Sequence, residues 1–593
     1  MNAYSDAFFE VLKEPDTLRI KSDWNRMKQA PGEARPVPVA IASTFTAEPL
    51  TPFLGWYLRQ FNLHPECSFA PYNQIHQELI NPDSLLNRNQ DGVNVLLLRF
   101  EELWPGLNVA REIDKPSTDQ ALAELDNLAN LIKQHAKQTS SVCFVSTLSA
   151  PENRGMLATA NPRGINAFHA KMNAHWAELL EGVAGVHLLD FNRLLSEHGL
   201  ATAANPKMWM LAKIPYNESV YHQLGRHIGR QIRAYFLPAL KAVAVDCDNT
   251  LWGGVVGEDG VFNLELGEDA PGNAFMDLQH YLISLHKQGV FLCLCSKNNE
   301  EDVWEVFEKN PFMKLNRNQL SANRINWHPK SVNIRELAAE LNIGSDHFML
   351  MDDNPAEVEE VRANAPEVLA VLLPAEPSLR VSYVSSLWAF DCLTLTEEDN
   401  KRTSMVRDEN RRRDFQQSAP DMESFLAGLE LRIEIDLVNA GTLPRVVQLI
   451  NKTNQFNLST RRRSEAEVQS LLDTGGFQIY TVRVADRFGD YGLTGVAIVH
   501  CQARHWEIDT FLLSCRVLGR KVESVLLQAI GQDAAVAKIN HLRARFIPTR
   551  KNKPAESFLS DHDFIRDGDA WQVEVDNLPS VPDFIQIQRK DHE

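Results

Sequence analysis

The stretch VAVDCDNTLWGG, residues 243–254, decides how the middle of this chain is read. An apolar run ends at Asp246, and Asp248 and Thr250 follow at alternating positions, the pattern of a buried strand opening into a polar turn. In an open parallel sheet, ligands bind outside the carboxyl ends of strands, so these groups sit where chemistry is expected. Two carboxylates two residues apart repel each other unless a cation or a proton lies between them. Magnesium suits such an oxygen-only site, with room left for water and phosphate oxygens.

Three later segments repeat the same placement. VFLCLCS ends at Ser296, a hydroxyl donor for phosphate. Lys330, ahead of a helix expected over Ser331–Leu341, can neutralise a phosphoryl group as a mobile point charge. HFMLMDDNPAE brings Asp352 and Asp353 to a strand end, where they can complete a metal site, with Glu357 one helical turn onward to order it. About 50 residues separate Asp246 from Ser296 and about 23 separate Lys330 from Asp353, which leaves no room for a large inserted cap.

Working outward, short apolar runs alternate with amphipathic stretches. VNVLLLRF (93–100), SVCFVST (141–147) and VAGVHLLD (183–190) read as strands covered on both faces, and Leu122, Leu125, Leu128 and Leu131 give Thr118–Gln138 a helical stripe. Strand, helix, strand in that order implies parallel α/β sheets. The expected division is a helical lead-in over 1–35, a first α/β domain over 36–237, and a second over 238–375. A polar helical connector then covers 376–427, including Arg411–Arg413, and an α+β domain covers 428–593. In the last domain the strands are LRIEIDL, FQIYTVRVAD, YGLTGVAIVHC, HWEIDTFLLSC and HLRARFIPT, with helices at Leu443–Lys452 and Arg520–Ala534.

Composition narrows the function classes. Hydrophobic residues make up 44% and charged residues 23% of 593, which sets wholesale disorder aside. The net charge of −18 makes nucleic acid an unsuitable partner. No apolar run approaches the ~20 residues of a membrane-spanning helix. MNAYSDAFFEVLKEPD has no basic region ahead of an apolar core, so no secretory signal is expected. Eight cysteines without a CxxC pair point to neither a disulfide framework nor zinc, and the expected compartment is the cytoplasm.

The motif order DxDxT, Ser, Lys, hhhhDDxxxE resembles the haloacid dehalogenase superfamily of phosphotransferases. The longer strings DCDNTLWGGVVGEDG, LCSKNNEEDV, WHPKSVNIRELAAELN and MDDNPAE are similar to its FkbH-like branch, which loads glyceryl units onto acyl carrier proteins. That resemblance implies Asp246 as the nucleophile that forms an aspartyl-phosphate and Asp248 as the acid and base. It implies Thr250, Ser296 and Lys330 around phosphate. Magnesium is implied on Asp246, on Asp248 through its carbonyl, and on Asp353, with Asp352 as the alternative. The implied donor is 1,3-bisphosphoglycerate or a similar acyl phosphate, and the implied acceptor is the phosphopantetheine arm of a carrier protein in polyketide-type biosynthesis. A plain phosphatase and a noncatalytic assembly-line scaffold are the alternatives.

The flanking regions carry their own resemblances. RVVQLINKTNQFNLSTRR, GDYGLTGVAIV and IDTFLLSCRVLGRKVESVLL resemble an N-acetyltransferase-like (GNAT-like) fold that would grip a pantetheine arm, although Lys521 replaces the small residue of its pyrophosphate loop. The first domain resembles an SGNH-hydrolase-like fold, with Ala42-Ser43-Thr44 after its first strand and His222 near its end. Its serine signature is missing, so a structural or docking role is expected. An acyl relay needs a thiol. Cys515 sits at a strand end beside Arg516 and ahead of a helix N-terminus, which favour thiolate. Cys295 is the second candidate, read as core because it alternates with Ser296, and the charges flanking Cys247 oppose ionisation there.

Overall fold

A computed structural model of the chain describes residues 3–13, 16–29, 32–105, 107, 112–149, 161–394, 412, 415–416, 419–549, 552–578 and 580–589. Of the expected connector, residues 395–411 lie outside the described residues, as do Arg411 and Arg413. Two compact units are formed, one by residues 1–285 with 290–394 and the other by 395–593 with 286–289. Among the described residues no helix is long and apolar enough to cross a membrane.

The first unit contains two five-stranded, all-parallel sheets. One is built from β1 (Arg35–Ser43), β2 (Leu63–Phe69), β3 (Val93–Leu97), β4 (Val142–Ser146) and β5 (Val186–Leu189), in the order β2-β1-β3-β4-β5. Every residue of β3 and β4 is buried, Asn94 and Ser146 included, which is why those segments read as largely apolar runs rather than alternating ones. The second sheet is built from β6 (Ala242–Val245), β7 (Phe291–Ser296), β8 (Ala322–Ile325), β9 (Phe348–Asp352) and β10 (Leu369–Leu372), in the order β10-β9-β6-β7-β8. Strands β2 and β8 have no counterpart in the sequence reading. The first is half exposed along HPECSF and carries Pro65, and the second, ANRI, is only four residues long with a polar centre.

Chain order reverses between β6 and β9, and that switch point is where an open parallel sheet leaves a crevice at its carboxyl edge. Register completes the placement. Val245 pairs with Leu294 on one side and Met351 on the other, so Asp246, Cys295 and Asp352 come level with one another.

The two sheets share one continuous hydrophobic core, joined by the chain that follows β10. Trp388 is fully buried there, with ring centroids 5.6 Å from both Tyr57 and Phe61. Arg233, also fully buried, donates to the Trp388 and Pro238 carbonyls at 3.0 Å each. Arg230 holds Asp391 through two hydrogen bonds of 2.5 and 2.7 Å. Residues 376–394, expected as the start of a solvated connector, are therefore packed into the first unit.

The second unit is α+β, as expected, around a mixed sheet. Its strands are β11 (Arg432–Leu437), β12 (Phe456–Asn457), β13 (Phe477–Ala485), β14 (Asp490–Cys501), β15 (Trp506–Leu513), β16 (His541–Ala544), β17 (Ile565–Asp567), β18 (Ala570–Glu574) and β19 (Gln586–Arg589). Eight run in the order β17-β18-β16-β15-β14-β13-β11-β19, with β12 on β15. Pairing is antiparallel except between β15 and β16 and between β11 and β19. The helix expected from Arg520 starts at Val522, because Lys521 takes a left-handed conformation (φ 63°) at its N-cap.

Trp388→Ala should empty a buried aromatic site in the shared core and cost about 3–5 kcal/mol. Urea unfolding of the full chain measures it, and a loss under about 1 kcal/mol would contradict the packing described.

Candidate active site

The turn after β6 is fixed from several sides. Asn249 adopts φ +52°, a left-handed conformation that asparagine tolerates. Its side-chain oxygen accepts from the Gly254 N–H at 2.9 Å, closing the loop on itself. Gly254 sits at φ +96°, where a Cβ would also come within 2.6 Å of the Asp259 carboxylate, so no other residue fits there without strain. From outside the loop, buried Gln279 donates to the Leu251 carbonyl at 2.8 Å, and Arg380 donates to the Asn249 carbonyl at 2.8 Å. Neither Gln279 nor Arg380 has a motif that would flag it, because each acts on backbone from a helix distant in sequence.

On this frame the structure brings Asp246, Asp352 and Asp353 together, with one carboxylate oxygen from each lying within 4.8 Å of the others. Lys330 is the first residue of the helix Lys330–Glu340, rather than a loop residue ahead of it. Its ammonium donates to Asp246 Oδ1 and Asp352 Oδ2, both at 2.5 Å, and is 2% exposed. Thr250 is fully buried and donates to Asp353 Oδ1 at 3.1 Å, so its hydroxyl positions that carboxylate.

Asp248 stands apart from the cluster. Its Oδ1 accepts from Trp252 Nε1 at 2.9 Å and the Val256 N–H at 3.1 Å, and its Oδ2 accepts from Asn298 at 2.9 Å. Asn298 also donates to the buried Ser296 hydroxyl at 3.3 Å, tying the ends of β6 and β7. Asn298 lies two residues past Ser296, a spacing that could have drawn attention to it. Glu357 does not order the cluster as expected. It accepts from Lys297 at 2.7 Å instead.

Electrostatics follow from burial. Burial pushes Asp246 up to about 6, against Lys330 and a hydrogen bond from Ser296, with Asp352 adding to the rise. Burial also raises Asp352, and it raises Asp353 with help from the charge on Asp246. For Lys330 burial works against the ammonium, yet Asp246 and Asp352 more than offset it and hold its value above the usual range. Lys330 bonds Asp246 and Asp352, both buried, and Arg380 acts on the half-buried Asp353, yet three carboxylates against two cations leave the cluster net negative, which a divalent cation would offset. The all-oxygen donor set fits magnesium.

The thiols fall into two groups. Cys247 is fully buried, and burial first, then Asp246, raises its thiol. Cys295, expected to be core, is fully buried. The parallel register sets it level with Asp246, and burial pushes its thiol up to about 12, with Lys330 opposing the rise and Asp246 and Asp352 adding to it. Cys515 is exposed, in the short turn Cys515–Val517 beyond the end of β15. Ser43 and His222 are engaged separately: the Ser43 hydroxyl accepts from the Phe45 N–H at 3.1 Å, and His222 Nε2 is 2.8 Å from the Tyr57 hydroxyl.

No family model and no curated protein matches the chain. Among solved structures, the N-terminal part of the protein BF1531 from Bacteroides fragilis, containing a phosphatase domain complexed with Mg, is similar at 23% identity. The match covers 63% of this chain and 99% of that one, with a TM-score of 0.56, and so shows a shared fold. A GNAT-family acetyltransferase from Staphylococcus aureus (14% identity, 24% of this chain, 99% of that one) also matches, at a TM-score of 0.20. A Vibrio cholerae spermidine N-acetyltransferase in complex with CoA and spermine (11% identity, 24% of this chain, 96% of that one) has the same TM-score of 0.20.

The raised carboxylates mean that the metal-free native state holds extra protons between the ordinary value of 3.8 and about 6. Its stability therefore falls as pH rises through that window, because the unfolded chain ionises first. Magnesium should raise Tm more at about pH 7.5 than at about pH 5, and equal gains would contradict the assignment. Thr250→Val should weaken magnesium binding roughly 10–100-fold by freeing Asp353. Calorimetry reads that loss, and unchanged affinity would remove Thr250 from the site.

Proposed function

We propose that this protein is a magnesium-dependent enzyme that removes phosphate from a small phosphorylated acyl donor and passes the acyl group to a carrier-protein thiol. The observation that carries the phosphoryl-transfer half is the trio Asp246, Asp352 and Asp353, the first two buried on Lys330, at the switch point of a parallel sheet. The bound cation would neutralise the phosphate oxygens and the carboxylates that face them. Asp246 attacks phosphorus, and the bond to the leaving oxygen breaks as Asp248 delivers a proton to it. Asp248 then takes a proton from the water that hydrolyses the aspartyl-phosphate. Three hydrogen bonds keep Asp248 oriented for both steps. Lys330, Ser296 and Thr250 hold the carboxylates and the phosphoryl group in register.

The finer reading takes 1,3-bisphosphoglycerate, or a similar acyl phosphate, as donor and the pantetheine thiol of an acyl carrier protein as acceptor, in cytoplasmic polyketide-type biosynthesis. Its support is the FkbH-like strings. In this reading the 3-phosphate leaves at Asp246. At carbon 1 a thiol attacks the carbonyl and the bond to the second phosphate breaks. Exposure favours Cys515 for that thiol, with buried Cys295 as the rival. A noncatalytic scaffold would have no need of two buried carboxylates on one lysine with a third beside them.

Asp246→Asn should abolish release of the 3-phosphate, and retention of a tenth of its wild-type rate would remove the nucleophile assignment. Asp248→Asn should slow turnover roughly 10²–10⁴-fold with a smaller change in KM. Intact mass of the carrier protein separates transfer from plain phosphatase activity: one added glyceryl group is expected, lost in Cys515→Ala, while free phosphate with an unmodified carrier would leave the phosphatase.

A further inference from the structure

The second unit contains a cavity of about 230 Å³ whose lining includes Phe456, Leu518, Glu523, Phe558, Asp561 and His562. Its lining mixes apolar and polar groups in about equal measure, with two carboxylates and the His562 imidazole but no lysine or arginine. His562 is held in place on two sides. Its ring packs on Phe558 with centroids 4.6 Å apart, and its Nδ1 lies 2.8 Å from the Phe558 carbonyl oxygen. A carbonyl only accepts, so in the neutral imidazole the proton is on Nδ1 and Nε2 is left as the acceptor. That Nε2 is 2.8 Å from Ser524 Oγ, whose hydroxyl therefore donates to it.

Ser524 and His562 are 8% and 7% exposed and come from different elements, the helix Val522–Val536 and the turn after the helix Phe558–Asp561. Hydroxyl, imidazole and an orienting acceptor on the far ring nitrogen are the three parts that activate a serine, here with a backbone carbonyl in the third place. His562, the base of the pair, lines the cavity, and Ser524 is joined to it by that hydrogen bond. Glu523, beside Ser524, adds a second sign of a ligand: its Oε2 is buried without a hydrogen-bond partner, and it lines the same cavity. Burial raises its carboxyl, as expected of a group lacking its partner.

We propose that Ser524 and His562 form a nucleophile–base pair that accepts a small, uncharged acyl group from a thioester or activated ester bound in this cavity. Ser524 Oγ bonds to the acyl carbon as its proton moves to His562 Nε2. The carbon–sulfur bond breaks, and the proton leaves with the thiolate. In the return step a thiol or water gives its proton to Nε2 and attacks the acyl carbon, the Oγ–carbon bond breaks, and the serine recovers its proton. Phe456, Leu518 and Phe558 suit a short acyl chain, Glu523 suits an N–H or O–H on it, and Glu523 with Asp561 repels a phosphorylated one. This inference rests on the second unit alone and not on the phosphate chemistry at Asp246.

The test is covalent labelling of the full chain with an alkyl fluorophosphonate, in which the Oγ–phosphorus bond forms as the phosphorus–fluorine bond breaks. Peptide mapping of the wild type should place the label on the segment Val522–Val525 and lose it in Ser524→Ala. His562→Gln should label at least roughly tenfold more slowly, since a base contributes ~10²–10⁴-fold. Asp246→Asn should label at the wild-type rate, which keeps this result separate from the phosphoryl-transfer reading. A small acetyl thioester, such as that of N-acetylcysteamine, should leave its acetyl group on the same peptide. Label at Ser43 or any other serine, no label at all, or an unchanged rate in His562→Gln would overturn the proposal.

Discussion

The site in the first unit depends on one buried ammonium. Lys330 reaches both Asp246 and Asp352 at 2.5 Å from the first residue of a helix and is almost wholly removed from water. Without it, carboxylates brought level by the parallel register would repel at close range in a medium that screens poorly. With it, and with Arg380 acting on Asp353, the cluster is still net negative. The sheet topology and the helix start that delivers Lys330 therefore build an oxygen-donor cluster suited to a cation.

Holding such a cluster requires rigidity around it, and the chain supplies it through backbone contacts. Asn249 and Gly254 accept left-handed conformations, Gln279 and Arg380 donate to loop carbonyls, and three donors surround Asp248. Arg380 deserves comparison with Trp388 and Asp391, because all three follow β10. One end of this segment pins the turn after β6, and the other is clamped by Arg230 and Arg233 on the helix Glu218–Phe236. Through that segment the first sheet supports the geometry of the second.

Much of this was legible in the sequence. The strands carrying Asp246, Ser296 and Asp352 were readable because buried parallel strands are unbroken apolar runs, and the site groups stand at their ends. The α+β character of the last region followed from alternating strands. What could not be read was long-range. Nothing local marks Thr250 as a partner of Asp353, Asn298 as a partner of Asp248, or Lys297 as the group that claims Glu357. That Cys295 stands level with Asp246 comes from strand register, which no local pattern gives. Ser524 and His562 are 38 residues apart and belong to no motif, so only folding could join them.

The central claim is that Asp246 is a phosphoryl acceptor inside the Lys330 cluster. Quenching the full chain during turnover of a phosphorylated donor with magnesium, reducing with borohydride and mapping peptides tests it most directly. Reduction converts an aspartyl-phosphate to homoserine. Homoserine at position 246, absent without magnesium and absent in Asp246→Asn, is the result the account predicts. Turnover without homoserine at that position, or with homoserine at position 248 instead, would contradict it.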